Sequence, residues 1–442
     1  MSFFFSLTAS AVGATNGKRM HDFRALFFIF LAATLAPFLN RLPFFARTPI
    51  VAIELILGII IGPSLCNLIA SDETISFLKE LGLVFLFFQA GFEIKHYQIG
   101  KSELRLGAIS WSVSFTLALI VACLLCVTGL VGSPVLVAII LPTTAFGILI
   151  PVLKQSGDLD SPLGRHVLGC AAVGELAPLI LASIALAHQQ HHIHQAFLSL
   201  IFLFIAAGLI AFLVKYRTEE HIAKMSYWIS EGGVLPFRVT MLVLLGFVSL
   251  ADSFGMETVV GAYVAGMAIA MLAGGAKDEI LERRLTAIGS GFFVPLFFVV
   301  SGVTFNLPML FLNPITLMLF FLFCIVFISI RLAPAGLFRH ALSQNDCIAQ
   351  SLLSSTTLPL VVAITYLGAQ TGQMTQETAT ALVGAAIITV TLFPTIAFWL
   401  RTQSENTLIT TYILQKSDFY TRLFLPILDK IVAKIDGFIG RN

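Results

Sequence analysis

Long apolar stretches, separated by short turns that contain Gly, Pro and charged residues, follow one another through most of the chain. A transmembrane helix needs about 20 predominantly apolar residues. The stretches that approach this length cover residues 25–40, 48–67, 75–94, 106–130, 134–154, 163–187, 195–215, 235–253, 256–273, 285–305, 315–338, 346–369 and 377–400. The pattern predicts an all-α integral membrane protein with about 13 transmembrane helices and only short connections between them.

The composition supports a membrane protein and excludes several other classes. Hydrophobic residues make up 57% of the 442 residues and charged residues 11%, whereas soluble domains carry about 25% charged residues. The formal net charge of +2 gives no reason to expect nucleic acid as a partner. Cys123 and Cys126 form a CxxC inside an apolar stretch, so packed thiols are favoured over metal or redox chemistry. No cofactor, metal site or enzymatic activity is predicted.

Positive charges alternate between the connections. The connections after odd-numbered spans hold Arg41, Arg47, Lys95, Lys101, Arg105, Lys154, Arg165, Lys215, Arg217, Lys224, Lys277, Arg283, Arg284 and Arg339. The connections after even-numbered spans hold no Lys or Arg. Because cytoplasmic loops carry an excess of these residues, the pattern predicts a multi-pass protein with a cytoplasmic C-terminus.

The two ends of the chain lie outside the transmembrane domain, residues 25–400. In the N-terminal segment, residues 1–24, Lys18, Arg19 and Arg24 favour a cytoplasmic location, whereas thirteen spans place this end outside, so its side stays open. Residues 401–442 carry apolar residues at helical spacing beside Lys430 and Lys434. This tail is interpreted as an amphipathic helix on the cytoplasmic surface or as a short helix packed on the loops of the bundle.

Weak sequence similarity between each span and the seventh span after it indicates an internal repeat. In spans 2 and 9 the matched positions are Glu54, Gly58 and Gly62 with Glu257, Gly261 and Ala265. Residues 85–92 of span 3 similarly match residues 296–303 of span 10. Spans that are seven apart cross the membrane in opposite directions. The similarity therefore predicts two inverted six-helix repeats at about 25–187 and 235–400, joined by a linker helix at 195–215. Inverted repeats with interrupted helices are typical of secondary transporters.

Two charged residues lie at membrane depth, Glu175 in span 6 and Arg331 in span 11. A charge at the centre of a lipid-facing helix costs at least about 2.5–3.5 kcal/mol. Either the two residues form a structural pair that joins two helices, or they belong to a transport site. Spans 5 and 12 favour the second hypothesis, because Pro142 and Pro359 would interrupt these helices. The interruptions free backbone carbonyls beside four hydroxyls that can bind a monovalent cation, those of Thr143, Thr144, Thr356 and Thr357.

The remaining charges within spans are expected near water. Glu54 and Glu257 lie about one turn inside their helices and Glu93 closes span 3, so the three are candidates for an aqueous funnel. Lys79 and Glu80, in the first turns of span 3, are expected at the membrane interface.

Together these features resemble the monovalent cation/proton antiporter superfamily, in its second branch with the bacterial sodium/proton antiporters and the Kef-type potassium/proton exchangers. The resemblance covers about residues 25–400 and is carried by residues 54–64 and 81–93, the span 5 threonines, Glu175, residues 261–266 and 297–302, Arg331 and the Ser/Thr run of span 12. It implies a six-helix core domain in which the broken spans 5 and 12 cross, packed on a dimerisation domain. It also implies elevator-type alternating access and a homodimer.

The resemblance also identifies one departure. Some family members carry two Asp residues in the ion-binding helix, where this chain has Gly174 and Glu175. One carboxylate holds one proton or one monovalent cation, and arginine cannot release a proton at any accessible pH.

The leading hypothesis is therefore an electroneutral Na⁺ or K⁺/proton antiporter of the inner (plasma) membrane, with Glu175 as the shared site, which Arg331 would stabilise when it is empty. An organic-anion or other solute symporter on the same scaffold, and a membrane sensor without transport, stay open as alternatives.

Overall fold

The computed structural model describes residues 23–42, 48–69, 72–93, 99–186, 208, 235–254, 256, 258–273 and 278–401, and its regular secondary structure there is entirely helical. In chain order the helices are α1 (Phe23–Asn40), α2 (Ile50–Ile61), α3 (Glu73–Glu93), α4 (Lys101–Val127), α5 (Pro134–Ile140), α6 (Phe146–Ser156), α7 (Pro162–Leu186), α8 (Leu235–Ser253), α9 (Thr258–Ala273), α10 (Asp278–Ile288), α11 (Val294–Val303), α12 (Leu307–Leu312), α13 (Pro314–Leu332), α14 (Gln344–Ser354), α15 (Pro359–Gln370) and α16 (Gln376–Arg401). A π-helical turn, Gly289–Phe293, joins α10 to α11, and a 3₁₀ turn, Ala333–Phe338, follows α13.

The helices agree with a multi-pass membrane protein. In the described part of the chain, nine helical segments are long and apolar enough to cross a membrane, and α2 and α9 are shorter apolar helices. These eleven helices fall in the predicted spans 1–4, 6 and 8–13, and the shorter helices α5 and α6 together occupy span 5. Apart from position 208, the seventh span, residues 195–215, lies outside the described residues, as do residues 1–22 and 402–442. The number of thirteen and the amphipathic tail therefore stay predictions.

The helices divide into two groups by their packing. In what we call the panel group, α2 packs on α11, α3 packs on both α9 and α11, and α8 packs on α9. In what we call the core group, α4 packs on α5, α7 and α13, while α16 packs on α13, α14 and α15. The groups meet where α7 touches α9, where α2 touches α16 and where α3 touches α6.

Reciprocal glycine contacts bring the backbones of α2 and α11 together. Gly58 lies against the carbonyl of Val299, and Gly302 lies against the carbonyl of Leu55. A Cβ atom at either glycine would overlap the facing carbonyl oxygen. Close approach through small residues is the usual way in which membrane helices gain contact area, because no hydrophobic effect drives their association in lipid.

The same arrangement occurs between α3 and α9. Gly266 lies against the carbonyl of Phe88, and Gly91 lies against the carbonyl of Tyr263. As in the first pair, each carbonyl belongs to the residue three positions before the partner helix's own glycine. The panel group is thus built from two equivalent reciprocal contacts.

Two core helices are interrupted where the sequence predicts it. Residues 141–145 separate α5 from α6, and residues 355–358 separate α14 from α15. A proline lacks a backbone N–H and disfavours helical geometry in the residue before it. Leu358, before Pro359, accordingly has φ −153° and ψ −54°. The interruptions meet, because Ala145 N donates a hydrogen bond of 2.9 Å to Thr356 O.

A second tie joins three helix ends of the core group. Arg401, at the end of α16, donates from Nη1 to Asp158 at 2.7 Å and from Nε to Asp346 at 2.6 Å. Asp158 lies in the turn between α6 and α7, and Asp346 lies in the first turn of α14. The ends of α6, α14 and α16 are therefore linked through one guanidinium.

Candidate functional site

Glu175 is buried in the middle of α7, with 5% of its surface exposed. Its Oε2 accepts a hydrogen bond of 3.2 Å from the backbone N of Phe146, the first residue of α6. Ala145, at the N-cap position, has no side chain that can accept from the free N–H groups of α6. The carboxylate on α7 therefore caps α6, and the positive end of the α6 dipole faces it.

The interruption before α6 is fixed to α7 and α14 by Thr144. Its backbone N donates to Gly174 O at 3.0 Å, and its Oγ1 donates to Ser354 O at 2.6 Å. Ser354 is the last residue of α14, where a carbonyl has no partner within the helix. Thr144 thus satisfies a free carbonyl at the end of α14, and it also holds the segment before α6 against α7, the helix that carries Glu175.

The other three predicted threonines lie at the same crossing and are buried. Thr143 Oγ1 donates to Ile140 O at 2.7 Å and lies 2.7 Å from Thr357 Oγ1. Thr356 Oγ1 lies 3.4 Å from Leu352 O. The structure brings all four predicted threonines together, and their recorded hydroxyl contacts are with one another, with free carbonyls of the helix ends and, for Thr144, with Arg331. The hydrogen bond recorded for Glu175 is with Phe146 rather than with a threonine.

Arg331 is buried in the last turn of α13 on the other side of residues 141–145. Its Nη2 donates to Pro142 O and, at 2.7 Å, to Thr144 Oγ1, while Nε and Nη1 have no hydrogen-bond partner. Trp111 Nε1 donates to the same Pro142 oxygen at 3.1 Å. No ion pair between Arg331 and Glu175 is present among the described residues. The structural-pair hypothesis for these two residues is therefore wrong.

Gly174 lies directly under this arginine. A Cβ atom at Gly174 would lie 3.1 Å from Arg331 Nη2 and 2.6 Å from Thr144 Oγ1. A side chain at this position would therefore displace the Arg331–Thr144 contact. Gly174 is the position at which this chain departs from the family members that carry two Asp residues. The close packing of Thr144 and Arg331 against it explains why no side chain fits there.

A cavity of about 130 Å³ adjoins Glu175 between the panel and core groups, and we call it the glutamate cavity. Its lining includes Glu93 and Gln89 of α3 and Gly147 of α6. Gln89 Nε2 donates to Glu93 Oε1 at 3.1 Å, and Glu93 Oε2 would lie 3.5 Å from a Cβ at Gly147. Carboxylates from both groups therefore flank the first turn of α6.

The remaining funnel candidates differ in position. Glu54 is buried on α2, and its Oε2 has no hydrogen-bond partner. It lies one turn beyond Val51, which lines the glutamate cavity. Glu257 lies outside the described residues.

Gln89 was not among the predicted site residues, and the burial of Lys79 was not predicted. An uncharged Gln in an apolar span gives no signal until the neighbouring carboxylate is known. The location of Lys79 at the membrane interface stays a prediction, but its side chain is covered by protein: only 3% of its surface is exposed, because Thr304 after α11 and Tyr366 on α15 lie against it.

Comparison with known proteins identifies the family. The family described as "Sodium/hydrogen exchanger, transmembrane" matches residues 25–402, the whole of the predicted membrane domain. The chain is 26% identical over 391 residues to the putative Na⁺/H⁺ antiporter YjbQ of Bacillus subtilis, covering 85% of this chain and 62% of YjbQ. It is also 26% identical over 391 residues to the probable Na⁺/H⁺ antiporter 3 of Methanocaldococcus jannaschii, covering 85% of this chain and 96% of that protein.

A third relative is named for two cations. The Na⁺/H⁺-K⁺ antiporter GerN of Bacillus cereus is 24% identical over 370 residues, covering 78% of this chain and 88% of GerN. The resemblance inferred from the sequence motifs is confirmed. Because one family matches the chain from the first turn of α1 to the end of α16, across the interrupted helices, Glu175 and Arg331, this protein belongs to the transmembrane sodium/hydrogen exchanger family.

Proposed function

We propose that this protein exchanges a monovalent cation, Na⁺ or K⁺, for a proton across the cell membrane, and that both bind at Glu175. The observation that carries the proposal is a buried carboxylate that faces a cavity and caps an interrupted helix. An acidic side chain at membrane depth is expensive and is a functional-site candidate by default. The names of the three relatives support cation/proton exchange.

The surroundings of Glu175 suit alternating occupancy by a cation and a proton. The free N–H groups of α6 stabilise the ionised carboxylate, by up to about 2 kcal/mol for a partly buried helix end. A proton or a cation neutralises the same charge. At about 30 Å³ for each water, the glutamate cavity has room for a cation with a few waters. The four threonines hold the crossing in shape, and Thr144 and Arg331 fix the segment from which α6 starts.

Exchange is electroneutral in this proposal, because Glu175 holds either one proton or one cation. The packing of Arg331 against Gly174 leaves no room there for a second carboxylate. Arg331 itself keeps its proton at any accessible pH. The group that would change the stoichiometry is Glu93, since it lines the same cavity.

The equivalent glycine contacts support inverted repeats with an offset that differs slightly from the sequence match. In the structure Gly58 corresponds to Gly266, and Gly302 corresponds to Gly91. The sequence match paired Gly58 with Gly261 instead. We propose that the core group moves past the panel group to expose Glu175 alternately to each side, and that the panel group mediates a homodimer. The positive-inside pattern puts the Glu93 end of α3 in the cytoplasm.

Proton flux in proteoliposomes tests the proposal. An imposed Na⁺ or K⁺ gradient should drive proton movement, and Glu175→Gln should abolish it. The matched control is Glu73→Gln, at the exposed start of α3, which should retain normal flux. Each unbalanced charge would contribute about 2.3 kcal/mol per 100 mV, so an electroneutral exchanger should reverse at the same ion gradients at every clamped potential.

Three results would contradict the proposal or part of it. No proton movement with Na⁺, K⁺ or Li⁺ between about pH 6 and pH 9 would exclude cation exchange. Normal flux in Glu175→Gln would exclude Glu175 as the carrier. A reversal point that depends on the membrane potential would exclude only the one-for-one stoichiometry and would direct attention to Glu93.

A further inference from the structure

A second cavity, of about 280 Å³, lies between the panel and core groups beside the first turns of α3. We call it the lysine cavity. Most of its polar lining is uncharged and comes from hydroxyl and amide side chains, including Thr304, Asn306 and Gln370. Lys79 is the one charged residue among its lining residues, and no carboxylate lines it. The cavity therefore has the opposite electrostatic character to the glutamate cavity.

The Lys79 ammonium is buried in this cavity without a carboxylate partner. Its Nζ lies 3.5 Å from Thr304 Oγ1, at the limit of a hydrogen bond, and 3.9 Å from the ring centroid of Tyr366. Glu80, the next residue, is exposed and instead lies 3.4 Å from the Tyr366 hydroxyl. A buried charge is expensive unless it is paired and hydrogen-bonded. One hydroxyl and one aromatic face leave much of this ammonium's donor capacity unused.

A second donor in the same lining is also unsatisfied. Ser301, on α11, has 7% of its surface exposed, and its Oγ has no hydrogen-bond partner. Buried hydroxyls in native proteins are nearly always paired with protein, water or ligand. Ser301 lines the same cavity as Lys79, and its hydroxyl, shielded from solvent in this arrangement, is free of partners that would prevent it from turning toward an occupant. With the ammonium it then forms a donor set that suits an anion.

We propose that the lysine cavity binds one small monovalent anion, a halide or a short carboxylate such as acetate, between the Lys79 ammonium and the Ser301 hydroxyl. A single charge on the anion matches the single ammonium. The volume admits an anion of this size together with waters that bond to the surrounding hydroxyl and amide groups.

The anion would also act on the relation between the two helix groups. Lys79 and Ser301 belong to the panel group, whereas Tyr366 and Gln370, which line the opposite wall, belong to the core group. An occupant that touches both walls stabilises the arrangement in which they face each other. This inference concerns binding and does not depend on which ion the protein transports.

Thermal unfolding of the purified full-length chain tests the site without any transport measurement. Sodium chloride, bromide or acetate replaces sodium lactobionate at constant Na⁺ concentration, because the lactobionate disaccharide acid is too large for the cavity. We expect Tm to rise by several degrees as each small anion approaches about 100 mM. Stabilisation of this form is the ordinary consequence of a ligand that binds only the folded state.

Variants assign the effect to the cavity. Lys79→Met should remove the dependence of Tm on the anion, and Ser301→Ala should raise the half-saturating concentration at least tenfold. Lys101→Met, at the exposed start of α4, is the matched control and should behave as the unmodified protein does. Crystals grown with bromide should give an anomalous peak within hydrogen-bond distance of Lys79 Nζ.

Several outcomes would overturn the proposal. One is a Tm that rises equally in Lys79→Met and in the unmodified protein, and another is a Tm that does not respond to any small anion. A bromide peak found only elsewhere would overturn it as well. If Lys79→Met cannot be purified, the Ser301→Ala variant decides. An anion concentration for half-saturation that is unchanged in Ser301→Ala would also overturn the proposal. Cation-driven proton flux is measured separately, so failure here leaves the proposed exchange untouched.

Discussion

Replacement of Gly174 by Ala tests whether Arg331 and Thr144 form a packed unit above the helix that carries Glu175. The added methyl group would lie 2.6 Å from Thr144 Oγ1, 2.9 Å from Thr144 Cβ and 3.1 Å from Arg331 Nη2. Real Cβ atoms do not approach at the first two distances, so either the threonine or α7 must shift. We expect Thr144 to shift rather than α7, because Thr144 lies in a non-helical segment whereas α7 is a continuous helix at residue 174.

The expected destabilisation has three components. Overpacking of a well-packed core costs about 1–3 kcal/mol. Displacement of Thr144 breaks its hydrogen bond with the arginine, and hydrogen bonds to charged groups contribute about 1.5–3 kcal/mol. Replacement of a helical Gly by Ala recovers about 1 kcal/mol. The net loss in Gly174→Ala should therefore be about 1.5–5 kcal/mol.

Thermal unfolding of purified variants measures this loss against a matched glycine. Gly246, on α8, has no heavy atom within 4 Å of a Cβ placed on it. Gly246→Ala should leave Tm unchanged or raise it slightly, whereas Gly174→Ala should lower Tm clearly. The double variant Gly174→Ala with Thr144→Ala removes the closest clashing atom, Thr144 Oγ1, and should be less destabilised than the sum of the two single variants.

Equal Tm values for Gly174→Ala and Gly246→Ala would refute this reasoning. Strict additivity in the double variant would also refute it, because the predicted loss arises from the contact between residues 174 and 144. Proton flux in Gly174→Ala should fall together with stability, since α6 begins two residues after Thr144.

Two further variants test the packing of each helix group. Gly302→Ala places a Cβ against the backbone of α2 and should destabilise the protein by about 1–3 kcal/mol, while Gly291→Ala, where a Cβ meets no atom within 4 Å, should not; equal Tm values would contradict the reciprocal contact. Arg401→Met removes both hydrogen bonds that tie α16 to the two aspartates at neighbouring helix ends, and it should cost about 1 kcal/mol at low salt and less at high salt. Lys154→Met, an exposed cation near the same end of α6, is its control, and a salt-independent loss in Arg401→Met would contradict an electrostatic tie.

Much of the fold could be predicted from the sequence because apolar length and proline position act locally. The interruptions at residues 141–145 and 355–358 follow from Pro142 and Pro359 together with the need to satisfy the freed backbone. The burial of Glu175 and Arg331 follows from their distance from the ends of their apolar spans. The positions of these features required no knowledge of the tertiary packing.

The partners of the site residues could not be predicted in the same way. A structural pair of Glu175 and Arg331 was one of two hypotheses that the sequence left open, but backbone groups freed by the interruption compete for both side chains. The carboxylate bonds to Phe146 N, and the guanidinium bonds to Pro142 O. A proline-interrupted helix exposes donors at one end and acceptors at the other, so it can satisfy an anion and a cation at separate places.

The opposite charges of the two cavities bear on how the two sides of the membrane differ. Lys79 and Glu93 lie on one continuous helix, α3, and at 1.5 Å per residue they are about 21 Å apart, which is most of the roughly 30 Å hydrocarbon thickness. A cation that leaves Glu175 on the Glu93 side passes a second carboxylate, whereas a cation that leaves on the Lys79 side meets an ammonium. Movement of the core group toward the Lys79 side must also separate Lys79 and Glu80 from Tyr366, since these contacts join α3 to α15. In the proposed mechanism an anion beside Lys79 would lower the electrostatic barrier to the cation and, at the same time, hold the two groups together. Exchange would then depend on anions at the Lys79 side in a way that the site at Glu175 alone does not explain.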